Sequence, residues 1–348
     1  MKLLTFVTTN DPATPRLGAL LDDGARVADL QQGYTAEAGS PSLMLTDMLS
    51  LLDGGETGRE LANKAFDYCL AQPDVAQPCV AQPCVAQPDT QLCFSLEDVR
   101  LLAPVPRPRS IRDCISFERH IVQATRTVAK WRFRPLAALD AWVEGKRGRA
   151  LIGAPSVWYE QPLYYKSNTF SVVGPDADIR WPRYTERLDF ELEFGIFIGR
   201  KGCNISRESA HEYIAGYTIF NDFSARDVQL REMGGRLGPA KGKDFDTGNS
   251  LGPYLVTADE IDDPSKLTMI ARINGEEWSR GNSGDMHFSF ADIIAHISQE
   301  ETLYPGECIG SGTVGGGCGL ELDRWIQPND VVELEVEGLG ILRNRVIK

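Results

Sequence analysis

The chain has 348 residues, 42% hydrophobic and 24% charged, enough to bury the core of one large domain with a small one beside it. Its formal net charge of −13 argues against nucleic acid or an anionic membrane as the main partner, and leaves room for a local basic pocket. Eight cysteines without a C-x-x-C pair point to free thiols in a reducing cytoplasm and away from sulfur-bound zinc.

Taken in order, the start "MKLLTFVTTNDP" has an apolar run of five residues, too short for a signal peptide or a membrane span. Leu17–Leu30 reads as two short strands around a turn at Asp22–Gly24, where Asp-Asp-Gly tolerates positive φ. "PSLMLTDMLSLLD" and "GRELANKAFDYCL" carry apolar residues at a helical period. Ala71–Leu92 then repeats AQPDV, AQPCV, AQPCV, AQPDT. A proline in every unit forbids a helix, so the segment reads as an exposed polyproline-like linker that can be shortened in whole units without loss of stability.

After "VRLLAPVPRP" the chain becomes a denser mix of short strands, Gly and Pro, which divides it into a small N-terminal domain, 1–105, and a larger domain, 106–348. Strand-like stretches are Phe170–Val173, Phe190–Ile198, Tyr213–Asn221, Tyr254–Thr257, Leu267–Ile273, Val331–Val336 and Gly340–Val346; helical ones are Phe117–Lys130, Leu136–Val143 and Phe288–Gln299. The expected class is α+β, mostly β.

"LDFELEFGIFIG" puts Asp189, Glu191 and Glu193 at every second position of a strand, on one face. Like charges that close repel unless the face is in water or meets a cation, and an isolated E-x-E usually means water. In "IRDCISFERH" Asp113 and His120 are seven apart, and an apolar strand ends at Asp222 in "GYTIFNDFSARDVQ", where a capping role is the ordinary one. "AKGKDFDTG", "SGTVGGG" and "GLEL" follow. This ordered set, over roughly Arg109–Leu322, resembles the fumarylacetoacetate hydrolase family.

The resemblance implies that family's mixed β-sandwich roll with a small N-terminal domain, a homodimer, and a small oxo-acid or diketone substrate. It implies Asp113, Glu191, Glu193 and Asp222 as ligands of a divalent cation, Mg²⁺ or Ca²⁺ with Mn²⁺ as a further candidate, since hard oxygen donors select such ions. His120 matches the base that activates water, Glu321 the carboxylate that orients it, and Lys243, in preference to Lys241, an ammonium beside the metal. Arg226, Gln229 and Thr313 match substrate-binding residues. Asp189 has no matching ligand role and is expected to make a polar contact at the rim. The Gly315–Gly319 run reads as backbone that passes close to the site or as a simple flexible loop.

Two departures stand out. Ile115 and Met233 occupy positions where the name-giving enzyme has tyrosines, which argues against fumarylacetoacetate itself. The basic, Trp-containing segment Arg126–Ala150 reads either as a lid or as a solvated amphipathic face. The expected function is metal-dependent hydrolysis of a C–C bond in a 1,3-diketone or 2,4-dioxo acid. The alternatives are a decarboxylase or isomerase of a 2-oxo acid working through a metal-bound enolate, and a non-catalytic small-molecule-binding protein.

Overall fold

The computed structural model describes residues 1–21, 24–72, 91–132, 134–147 and 151–348. The repeat units between 73 and 90, and with them the linker expectation, lie outside the described residues, as do Asp22 and Asp23 of the expected turn. The strands on either side of that turn are present as Arg16–Leu20 and Arg26–Asp29, antiparallel with Ala19 opposite Ala28. The two expected N-terminal helical stretches form a 3-10 turn, Leu43–Leu45, and helices Met48–Asp53 and Gly55–Ala71.

A large sheet organises the fold. Its centre is the strand Leu192–Ile198, flanked by Ile214–Asp222 on one side and Cys308–Gly310 on the other, with Ile111–Cys114 and Tyr164–Ser167 beyond the latter. Ile214–Asp222 pairs in turn with Asn249–Thr257, and Lys2–Thr8 pairs with that strand, Leu3 opposite Leu255, so the N-terminal strands extend the same sheet. A second, five-stranded sheet, with Thr268–Ile273 and Val331–Val336 at its middle, packs against the first. The class is α+β with the sheets at its core.

Both faces of the central strand are covered, so the run "LEFGIFI" is buried throughout. Phe194, Ile196 and Ile198 pack with Phe290, Ile293 and Ile294 of the helix Phe290–Ile297 and with the second sheet. Phe197 turns the other way, with Phe220 and Leu255, onto Leu51 and Ala65 of the N-terminal helices. That helix starts cleanly because Ser289 and Asp292 form a reciprocal capping box. Phe194→Ala would remove a ring from the middle of this layer at a cost of about 3–5 kcal/mol.

Several strands differ from the sequence reading. The strand does not run unbroken from Phe190: Leu188–Asp189 pairs with Ser224–Ala225, and the chain joins the large sheet only from Leu192. The strand Glu276–Asn282 escapes pattern reading because its exposed residues do not alternate with apolar ones. Ile111–Cys114 and Cys308–Gly310 are too short to show a period.

Candidate active site

The sheet brings the expected carboxylates together. Gly310 lies opposite both Gly195 of the central strand and Asp113 of the next one, so Asp113 is level with Gly195, two strands across and two residues along from Glu193 on the same face. A Cβ at Gly310 would fall 2.3 Å from Asp113 Oδ1, so only glycine lets that carboxylate lean across toward Glu193. Ligand atoms of Asp113, Glu191 and Glu193 all lie within 4.8 Å of one another, all three residues buried. Asp222 ends its strand beside them, with Asn221 opposite Leu192. Its side chain accepts from Lys243 and from the Tyr165 hydroxyl, so it is no cap.

So many enclosed carboxylates cannot all stay charged unaided. Burial, with the neighbouring acids, pushes Glu193 well above the ordinary range. Burial likewise lifts Asp113 to about 6 and Asp222 to about 7, although Lys243 pulls both back. Glu191 is the exception: burial opposes its charge, but Arg226, Lys243 and His120 outweigh it and hold the carboxyl at about 2. Lys243, itself buried, donates to Glu191 Oε2 at 2.6 Å, and Lys241 lies exposed over the Tyr184 ring.

Among the described residues, Asp113 Oδ1, Glu193 Oε2 and Asp222 Oδ1 are buried without a hydrogen-bond partner. Three such orphaned anionic oxygens in a set made only of carboxylates suit a hard divalent cation. Asp113, Glu191, Glu193 and Asp222 are the residues that would hold it.

On the other side, His120 opens the helix Glu118–Arg132, whose acidic first turn and basic last turn both suit the helix dipole. Its Nδ1 meets Glu321 Oε1 at 2.7 Å. Glu321 Oε2 accepts the Gly316 N–H at 2.7 Å. With its amide nitrogen turned toward Glu321, Gln123 donates to the same oxygen at 2.8 Å and accepts from Arg119 Nε at 3.1 Å. Cys318, fully buried, lies 3.5 Å from Glu321 Oε1 through its Sγ. The glycine run is buried and packed, not a flexible loop: a Cβ at Gly315 would strike Arg119, and one at Gly319 would come within 2.5 Å of Asp189 Oδ1.

Asp189 is not at the rim. It is 0% exposed, takes Arg226 Nε at 2.8 Å, and accepts the N–H groups of Gly319 at 2.7 Å and Leu320 at 2.9 Å. The break in the strand turns it away from the large sheet and onto the turn that carries Glu321. Arg226 spends Nη1 on Glu191 at 2.7 Å and on Gln229 at 3.0 Å, and its buried Nη2 has no partner among the described residues. Thr313 Oγ1 donates to Glu193 Oε1 at 3.1 Å. Ile115 is half-buried and Met233 exposed.

Tyr165, Asp189 and Cys318 are the site residues that sequence reasoning passed over or misplaced. Only Asp189 carried a signal, its alternation with Glu191.

The segment beyond Arg126 forms the end of this helix and a second one, Arg134–Arg147, with Arg126 Nε on Asp140 at 2.8 Å. The Arg187 guanidinium sits 4.3 Å from the Trp131 ring centre and 5.4 Å from that of Trp325, which fastens the first helix over the turn bearing Glu321. Among the described residues, no helix is long and apolar enough to cross a membrane.

Comparison with known proteins finds relatives along the whole chain. The family model "Fumarylacetoacetate (FAA) hydrolase C-terminal" matches residues 144–347. "Oxaloacetate tautomerase fahd2, mitochondrial" of Xenopus laevis is 30% identical over 350 residues, spanning 100% of this chain and 90% of that protein. "Oxaloacetate tautomerase FAHD2A, mitochondrial" of Homo sapiens is 38% identical over 189 residues, which is 54% of this chain and 60% of the human one. Two solved structures share the fold over 100% of this chain and 99% of their own. They are the fumarylacetoacetate hydrolase of Exiguobacterium antarcticum, TM-score 0.67 at 24% identity, and maleylpyruvate hydrolase from Sphingobium sp. SYK-6 in complex with manganese (II) ion and pyruvate, TM-score 0.66 at 20%.

Proposed function

The chain belongs to the fumarylacetoacetate hydrolase family, and from that premise we propose that it is a divalent-cation enzyme acting on a small 2-oxo acid, interconverting the keto and enol forms of an oxaloacetate-like substrate. One observation carries the reading: a buried carboxylate cluster with three orphaned oxygens stands beside a His–Glu pair. The tautomerase name of the full-length Xenopus laevis relative supports the choice of reaction.

A divalent cation held by Asp113, Glu191, Glu193 and Asp222 would polarise the substrate's carbonyl oxygens and acidify the C–H bond next to them. The remaining steps belong to the chain. Glu321 holds His120 through Nδ1, which leaves Nε2 to take the proton from carbon; general base catalysis of this kind contributes roughly 10²–10⁴-fold. The Lys243 ammonium offsets negative charge gathering on oxygen until the proton is delivered there. Arg226 Nη2, without a partner among the described residues, is the donor for the substrate carboxylate, and the Thr313 hydroxyl would join it by turning from Glu193 Oε1.

The second reading, hydrolysis of a C–C bond in a 2,4-dioxo acid, is favoured by the same His120–Glu321 pair, because that pair could equally deprotonate a water. A purely binding role would need no such pair. The test follows the ultraviolet band of enolic oxaloacetate beside an acylpyruvate cleavage assay, both with Mg²⁺ or Mn²⁺. Faster keto–enol exchange without cleavage supports the tautomerase reading, cleavage of the acylpyruvate with oxaloacetate unaffected supports the hydrolase, and neither removes both.

A further inference from the structure

We propose that His120, Cys318 and Glu321 form a second, softer metal site, which takes a zinc-class cation and switches the enzyme off by occupying the base. The inference rests on the reading of His120 as that base. The three side chains come from two stretches of chain far apart in sequence, and their donor atoms lie within 4.8 Å of one another. His120 Nδ1 to Glu321 Oε1 is 2.7 Å, Cys318 Sγ to Oε1 3.5 Å and Sγ to Nδ1 4.0 Å. Donors around a tetrahedral zinc stand roughly 3.3–3.6 Å apart, given bonds of about 2.0–2.1 Å to N and O and about 2.3 Å to S. Shifts of well under 1 Å on that scale convert one arrangement into the other.

The chemistry separates this site from its neighbour. The carboxylate cluster offers only hard oxygens, whereas one sulfur, one nitrogen and one oxygen favour zinc or cobalt over magnesium. A thiolate, a carboxylate and a neutral imidazole balance the two positive charges of the ion, as a site with an enclosed Glu321 side chain and a fully buried Cys318 requires. The ion displaces the thiol proton, which leaves to solvent, so binding tightens as pH rises. With the metal on Nδ1, the neutral ring carries its hydrogen on Nε2 and can no longer accept a proton there. The absence of a C-x-x-C pair hid this site, since only one of its ligands is a cysteine.

Cobalt(II) is the probe, added to enzyme already saturated with Mg²⁺. The wild-type protein is expected to show a near-ultraviolet thiolate-to-cobalt charge-transfer band at one equivalent, bleached by Zn²⁺ and absent in Cys318→Ser. Zinc is expected to inhibit turnover reversibly, with the inhibitory concentration rising at least roughly tenfold in Cys318→Ser relative to that variant's own uninhibited rate. A wild-type spectrum without the band overturns the proposal, as does a Cys318→Ser protein that keeps the band or stays equally sensitive to zinc. The spectrum needs no turnover, so it also decides if the proposed reaction is wrong, and the wild-type arm decides if the variant does not fold.

Discussion

The two halves of the site are built on opposite principles. The carboxylate half stands on neighbouring parts of one sheet buried on both faces, Asp113, Glu193 and Asp222 on three of its strands and Glu191 just before the central one, so its acids are fixed by the sheet and held in excess of their partners. The His120–Glu321 half stands on a helix start and a four-residue helix, where His120 Nδ1 and both Glu321 oxygens have side-chain or backbone partners and Nε2 is left to accept the proton. Unbalanced charge on a rigid frame suits capture of a cation, and a satisfied network on shorter elements suits aim of a single proton acceptor. The halves meet at two buried residues, Asp189 and Arg226.

The largest effect is expected from breaking the carboxylate half. Glu193→Ala should abolish turnover and weaken Mg²⁺ or Mn²⁺ binding, read by calorimetry, by more than the roughly 10–100-fold typical of losing an outer partner of a ligand. The cation-free variant should melt no lower than wild type, because one of several mutually repelling acids is gone. A lower melting temperature with cation affinity intact would mean that Glu193 is structural.

His120→Ala breaks the other half alone. Turnover should fall by roughly 10²–10⁴-fold while cation affinity stays unchanged. If the protein is the hydrolase of the second reading, exchange of the substrate's α-hydrogen with solvent should outlast cleavage in this variant. Undiminished cleavage would remove His120 from the mechanism.

The next two variants address the junction. Arg226→Lys loses the planar fork, so the KM for an acidic substrate should rise about 10–100-fold and that for a neutral 1,3-diketone far less. Equal losses on both would make Arg226 a support for Glu191 and Asp189 only. Asp189→Asn gives the smallest change, roughly tenfold in kcat/KM from a weakened charge-assisted hydrogen bond. In the Arg226→Lys background that cost should shrink, because the two residues act through one contact. A full additional tenfold there would show that Asp189 works independently of Arg226.

These expectations track what the sequence could carry. Glu191, Glu193 and Asp222 left local signals, strand alternation and a strand end, which alone read as a solvated face and a cap; their grouping was legible only through the resemblance in motif order. Asp113 and His120 were legible as a pair only through the order of motifs around them. Tyr165 was not, because its partner Asp222 is 57 residues away and a buried hydroxyl leaves no periodic trace. Asp189 was misplaced because alternation assumes an unbroken strand, and the chain changes partners between Asp189 and Leu192. The main strands and helices were read nearly to their ends wherever one face is apolar, as in Val331–Val336, and missed where pairing alone defines them, as in Cys308–Gly310.

The central claim is that the carboxylate cluster of Asp113, Glu191, Glu193 and Asp222 holds the cation on which a 2-oxo acid reacts. The most direct measurement is the rate of oxaloacetate keto–enol exchange, with acylpyruvate cleavage followed in parallel, after exhaustive chelation and again after adding back Mg²⁺ or Mn²⁺. Activity that vanishes without the cation and returns with it, in wild type but not in Glu193→Ala, is the predicted result; full activity in the cation-free protein would contradict it.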